Sequence, residues 1–512
     1  MKRGNCNRGL GRVRLGAAAV GLAVSGVAAT AQAGGFYVPE VGPRAVGMAG
    51  AMTAQSDERD TSAIFHNPAG LAGPKGTRIQ VAGNLFFPNV EFWRAPLTDP
   101  STGDRVQFSR TRNSNRVSGA PYIGVASDVG VDDLAIGLAV YAPFGAHLVY
   151  PRDSPARYVV TEVNLRSIYV SPTVAYELFD RLSLGVGLNY IYSDLSLDQV
   201  NSVLFLTGDP AFSPNPDPEL DGITQLRGRD TASFSANIGV QYRDPEDTYA
   251  FGVSVMTPTR LNFDGDARVI NEQVSPLVDD DGNELAPGGV RDDKFGMEYP
   301  LPMVLRVGAM FRPHPQVMVA ADYNWQRWKT FDEVTVEFDN NYELLPTPGA
   351  FMHDVVIEQH WTNSHSLRLG TEVAPLPPDR LPLWLRGGVV LDQSPIPDAY
   401  FDILAPDSDK VGLSVGGGYT IAAGPRVKVD LDLAFMHLML AERNIGPTQV
   451  GSTELTGNDD DGPSTNDTFD NPFDEERPGS NKTILNKPAA SFYHGVTRAF
   501  FDILGLGVTV RL

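Results

Sequence analysis

Cysteine is all but missing. Cys6 is the single one among 512 residues, and it precedes the first apolar run, so neither a disulfide framework nor a lipoprotein anchor can be built on it. After residue 33 no apolar stretch reaches the roughly 18 residues of a spanning helix, which excludes a helical membrane protein. Positive charge is scarce as well: 41 Lys and Arg stand against 62 Asp and Glu, a balance that disfavours nucleic acid, whose phosphates require a basic surface. The 8 histidines are scattered singly, without the i, i+4 spacing or cysteine company of a zinc site. The acidic runs Asp279–Glu284 and Asp459–Gly462 lack the closing Glu of a 12-residue calcium loop. No Gly-rich phosphate loop joins a Lys-Ser/Thr pair, and so neither metal nor cofactor nor a nucleotide energy source is expected.

What is present begins with a leader. Lys2, Arg3, Arg8, Arg12 and Arg14 precede an apolar run from Leu15 to Val27, and Ala31-Gln32-Ala33 offers a small-residue cleavage site. Residues 1–33 are therefore expected to be a signal peptide. Without those five basic residues the chain carries 36 basic against 62 acidic, a net charge of −26.

Beyond the leader the dominant pattern is alternation. Leu182, Leu184, Val186, Leu188, Tyr190 and Tyr192 share one face of an extended segment, with Ser183, Gly185, Gly187 and Asn189 on the other. Phe234, Ala236, Ile238 and Val240 repeat this, as do Val427, Val429, Leu431, Leu433 and Phe435 against Lys428, Asp430 and Asp432. Period-2 runs of about ten residues, longer than the five or six usual in soluble strands, suit a membrane barrel with one face to lipid and one to its lumen. The sequence offers 14 such segments, centred on 78–87, 117–127, 134–143, 161–178, 182–196, 231–242, 249–261, 302–312, 317–328, 361–374, 381–391, 410–421, 426–439 and 495–512. Long and short connections alternate between them, as external loops and periplasmic turns do. The expected fold is all-β: a 14-stranded antiparallel transmembrane barrel over 78–512 in the outer membrane. Tyr190, Tyr192, Tyr323, Trp325 and Trp328, near strand ends, would supply an aromatic girdle.

Residues 34–77 are too Gly- and Ala-rich to form a core of their own. A lumen of this size would leak unless filled, so this segment is expected to be an N-terminal hatch. Here several stretches resemble the FadL-type outer-membrane transporters of long-chain fatty acids and aromatic hydrocarbons: Gly34-Gly35-Phe36, Gly47-Met48-Ala49-Gly50-Ala51, Phe65-His66-Asn67-Pro68-Ala69-Gly70-Leu71, Tyr141-Ala142-Pro143-Phe144-Gly145, Ser171-Pro172-Thr173, Asp322–Trp328 and Asp392–Asp398. The order and spacing of these stretches span essentially the whole mature chain. The resemblance implies a hatch carrying Asn67, Pro68 and Ala69, a mature N-terminus with Phe36 reaching an inner pocket, and passive delivery of ligand sideways into the membrane. A C-terminus ending in Leu512 departs from the aromatic residue usual in such barrels.

Read for mechanism, Pro143 lacks an amide hydrogen and, with Phe144 and Gly145, is expected to border a side opening. In the third external loop Leu204, Phe205 and Phe212 form an apolar patch suited to ligand capture or to packing against neighbouring loops. Arg166, Arg306, Arg368 and Arg386 are candidates for holding a carboxylate. His360, Ser364 and His365 lie close together, but lack the third orienting group of a triad. The expected partners are a hydrophobic small molecule and the surrounding outer-membrane lipid and lipopolysaccharide, with the chain a monomer. A surface adhesin or receptor mounted on the same barrel, or a barrel enzyme, are the other readings. Neither has an evident need for the hatch.

Overall fold

The computed structural model describes residues 36–98, 105–115, 117–179, 181–202, 221–270, 277–278, 284–286, 290–339, 354–446, 475–476, 482–485 and 494–512. The leader, the patch of Leu204, Phe205 and Phe212, and the two acidic runs apart from Glu284 lie outside the described residues.

Fourteen long strands form the wall. They are β1 Thr77–Arg94, β2 Ser118–Ser127, β3 Leu134–Val149, β4 Glu162–Leu178, β5 Leu182–Ser202, β6 Asp221–Arg243, β7 Tyr249–Met256 resuming as Thr259–Ile270, and β8 Val290–Leu301 resuming as Val304–His314. Then come β9 Val317–Gln326, β10 Ser364–Val373, β11 Leu383–Asp392, β12 Lys410–Ala422, β13 Lys428–Leu440 and β14 Gly495–Arg511. The breaks in β7 and β8 fall at Pro258 and Pro302, residues with no amide hydrogen for a ladder. Each strand pairs antiparallel with the next, and β1 pairs with β14 from Arg78↔Arg511 to Arg94↔Gly495, which closes the sheet. Closure leaves no free edge, the condition for a sheet in hydrocarbon.

The alternation read from sequence is the inside–outside alternation of this wall. Leu188, Phe234 and Val415 are more than 60% exposed on the outer face, while Asn189, Asn237, Asp322, Arg368, Arg386 and Asp432 are buried on the inner one. A soluble protein would reverse that arrangement; a bilayer demands it. Chain connections 128–133, 179–181, 244–248, 315–316, 374–382 and 423–427 are short and share one end of the barrel with Thr77 and Leu512, which are hydrogen-bonded to each other.

Between Phe36 and Gly76 the chain contributes no wall strand and is mostly buried inside the barrel. It holds two short helices, α1 Pro43–Gly47 and α2 Ala63–His66, and a 3-10 turn over Pro68–Leu71. Helices of one turn do not persist alone; the wall shapes them. The inner face admits the segment where it carries glycine: a Cβ on Gly185 would lie 2.3 Å from Ala69 N, and one on Gly252 2.2 Å from the Thr53 carbonyl oxygen.

Candidate ligand passage

Among the described residues the seam between β2 and β3 is interrupted. Their pairing ends at Tyr122↔Tyr141. Beyond it β3 slips by one residue against β4, from Tyr141↔Tyr169 to Phe144↔Ser167, a bulge that contains Ala142 and Pro143. The backbone freed there pairs inward. Val38 N donates to the Pro143 carbonyl at 2.7 Å, Gly145 N donates to the Phe36 carbonyl at 3.0 Å, and Tyr37 and Phe144 form an antiparallel bridge. Phe36 to Val38 thus stand in for the missing stretch of β2. Higher up the seam closes again through Asn115, whose Nδ2 donates to the His147 carbonyl at 2.8 Å. The crevice left beside Ala120, Pro121 and Ala142 measures about 10 Å³, room for one water at most.

Above this bridge lies an apolar pocket of about 130 Å³ whose wall includes Phe36, Leu165, Leu195, Tyr299, Phe331 and Trp361. Phe36 stacks on Trp361 with ring centroids 5.8 Å apart and meets Tyr299 edge-on at 5.7 Å. Trp361 in turn packs on Phe331 at 4.6 Å and on Trp328 at 5.0 Å. Such pairs add about 0.5–1.5 kcal/mol each beyond the area they bury. Phe144 points inward too, onto Tyr37 at 5.1 Å, so the side seam and the pocket share one aromatic cluster.

Polar contacts hold the rest of the N-terminal segment. Asn67 accepts from Ala69 N at 3.2 Å and donates to the carbonyls of Thr53, at 2.8 Å, and Val240 on β6, at 3.2 Å. With Pro68 and Ala69 it forms a buried turn against β5 and β6. Asp322 on β9 accepts from Met52 N, Thr53 N and the Thr53 hydroxyl at 2.9, 2.8 and 2.7 Å. Arg44 pairs with Asp57 at 2.7 Å, and Arg59 with Glu372 at 2.7 Å.

The four candidate arginines are not gathered at the pocket. Arg368 pairs with Glu40 at 2.9 Å, Arg386 with Glu372 at 2.7 Å and with Asp432, and Arg166 with Asp194 at 2.7 Å. Arg306 donates to the Tyr37 hydroxyl and lies 4.6 Å from the centre of the Phe65 ring. Nor do His360, Ser364 and His365 act together: they bond Asp332, the Gln393 carbonyl and the Tyr323 hydroxyl respectively. Trp328 corrects the girdle expectation. It is fully buried, because the chain turns inward after β9 in a 3-10 turn and its indole donates to Gln326 at 2.8 Å. Tyr190 and Tyr323 do face outward.

Tyr299, Phe331, Trp361 and Leu195 are pocket residues that sequence reading missed. They come from separate strands and loops, and only their aromatic or aliphatic character, common to any packing residue, marked them.

Comparison with known proteins places this geometry. A family model described as outer membrane protein transport protein (OMPP1/FadL/TodX) matches residues 24–467. A long-chain fatty acid transport protein of Escherichia coli O6:H1 is 22% identical over 82% of this chain and 90% of its own. Among solved structures, a Pseudomonas aeruginosa FadL homologue superposes with TM-score 0.67 at 16% identity over 93% of this chain and 99% of that one. The Ralstonia pickettii toluene transporter TbuX does so with TM-score 0.58 at 15% identity over 93% and 99%. With the closed 14-stranded wall and the family match over most of its length, this chain belongs to the OMPP1/FadL/TodX family of outer-membrane transporters of fatty acids or hydrocarbons.

Proposed function

We propose that the protein is a passive channel, without chemistry of its own, in which the N-terminal segment is a hatch and ligand leaves sideways through the seam between β2 and β3. The observation that carries this reading is that Phe36 to Val38 serve two boundaries at once. Phe36 forms part of the pocket wall, while the Phe36 carbonyl and Val38 amide complete the hydrogen bonding of the β3 bulge. A ligand that displaces Phe36 would loosen the patch over the seam by the same movement.

A greasy solute entering from the external loops would be held in the pocket, then released to lipid as the bridge at Pro143 and Gly145 opens. Backbone groups exposed in hydrocarbon are costly, so the seam reseals on the hatch once the ligand has gone. No energy input is required, since transfer runs down the gradient of an apolar solute. Capture at Leu204, Phe205 and Phe212 would precede these steps. The protein would work as a monomer, with lipid and lipopolysaccharide around it. An adhesin or receptor mount would have no use for an apolar pocket joined to a seam in the wall.

The test is Gly145→Arg, which places a charged side chain at the seam. Uptake of a hydrophobic tracer into cells lacking other routes should fall at least tenfold, while the barrel keeps its heat-modifiable migration on gels. Uptake at the wild-type rate would sink the side exit.

A further inference from the structure

The pocket behind Phe36 is small and aromatic, and among the described residues no cation lines it. Its volume is about 130 Å³, close to the roughly 150 Å³ of an apolar protein cavity that takes up benzene. Phe36, Tyr299, Phe331 and Trp361 present both ring faces and ring edges to it, the arrangement in which aromatic pairs gain most. A long acyl chain would have to leave this space and force the Phe36–Trp361 stack apart along its length.

The polar groups of the wall point the same way. Among the described residues lining it there is no Lys, Arg or His. Its polar members include Gln199, Gln359 and Asp402. Asp402 accepts at Oδ1 from Leu404 N at 2.9 Å and Ala405 N at 3.1 Å, so the loop itself fixes a carboxylate in the pocket. The Tyr299 hydroxyl is buried with no hydrogen-bond partner among the described residues, an uncharged donor available to a ring face or to a neutral oxygen. Arg306 does not line this pocket, and its guanidinium donates to the Tyr37 hydroxyl. Neighbouring residues of an extended stretch point to opposite faces, so Tyr37 turns that cation away from the pocket that Phe36 lines. A fatty carboxylate here would lose water without gaining a positive partner and would face a second carboxylate, a costly arrangement in a dry site.

We propose that this pocket, taken as the transport site described above, selects a single uncharged aromatic ring over a long-chain carboxylate. The inference rests on the transport reading and narrows it. The test uses the purified full chain in detergent, with toluene and a sixteen-carbon fatty carboxylate as probes. Binding is followed by tryptophan fluorescence, with Trp361→Phe to assign the signal, and transport by uptake into proteoliposomes. Toluene should bind at least tenfold tighter than the carboxylate. Asp402→Asn, which keeps the acceptor for the two loop amides, should narrow that ratio at least threefold, and Gln359→Lys, which puts a cation into the wall, should narrow it further. Equal or tighter binding of the carboxylate to the wild type, or a ratio unmoved in both variants, overturns the selectivity. Uptake of the carboxylate but not of toluene would overturn it while leaving the transport reading intact; uptake of neither would bring down both.

Discussion

Arg368 on β10 and Glu40 of the N-terminal segment meet at 2.9 Å with each side chain only 1% exposed. The same guanidinium donates to the Ala49 carbonyl at 3.2 Å and has Asp392 at 3.9 Å. One wall residue therefore ties down two points of the segment, at its start and after α1.

Glu40→Gln should loosen that tie. Breaking one partner of a buried ion pair costs about 3–5 kcal/mol, and the remaining Asp392 places the effect at the lower end. Amide hydrogen exchange of residues 40–55 should accelerate while the wall strands keep their protection. Unchanged exchange in that stretch would show that the pair does not anchor the segment.

Asp322→Ala should act at the other anchor. It strands the amides of Met52 and Thr53, each at a cost of about 1–3 kcal/mol when buried and unsatisfied. Single-channel recordings should show frequent openings that the wild type lacks. Asp322→Asn, which retains an acceptor oxygen, should show far fewer, and equal behaviour of the two variants would count against the hydrogen bonds as the cause.

How much of this was legible in the chain depends on where each residue's neighbours lie. Alternation at Leu182–Tyr192 revealed β5 because lipid on one side and the interior on the other impose opposite chemistry on successive residues. It broke off too early, however: β5 continues to Ser202, β6 starts at Asp221, β7 reaches Ile270 and β8 begins at Val290. There the cross-strand partners are charged, as in Arg268–Asp292 at 3.3 Å and the Lys294–Asp266 pair, and a strand wetted on its outer face no longer shows an apolar period. Pro143 was readable because its missing amide hydrogen is a property of the residue itself. The pocket was not, since Tyr299, Phe331 and Trp361 acquire their role only when β8 and the loop after β9 converge on Phe36.

Acid should release the segment before it harms the wall. Burial, with the positive charges of Arg306 and Arg368, lowers the pKa of His66 to about 3, although its bond to the Val41 carbonyl opposes this. Once withdrawn into water the same imidazole would protonate near the ordinary value of about 6.5. The docked form binds fewer protons, so its advantage is complete above pH of about 6.5 and shrinks as pH falls toward about 3. Burial alone would raise Asp57, but Arg44 and Arg59 outweigh it and hold that carboxyl well below the usual range; its contribution is lost only at still lower pH. Protease sensitivity of residues 36–76 should therefore rise between pH 6.5 and 4.5 in the wild type. In His66→Gln that rise should be absent, and a rise as steep as in the wild type would remove His66 from the account.

Gly185→Val tests whether the Asn67-Pro68-Ala69 turn needs the hollow that β5 offers it. A Cβ at Gly185 would sit 2.3 Å from both Ala69 N and the Pro68 carbonyl carbon, and backbone atoms on both sides leave no side chain that can swing away. Valine suits a strand, so the barrel should assemble and migrate normally on gels. The turn must move instead, which breaks the Asn67 bonds to Thr53 and Val240, at about 0.5–1.5 kcal/mol each. Faster exchange over residues 61–72 and a raised basal conductance are the expected signs. Gly387→Val is the matched control, because the nearest atom to a Cβ there is the Ser414 carbonyl oxygen at an ordinary 3.7 Å. If both variants conduct like the wild type, the turn tolerates displacement and the motif does not seal the lumen.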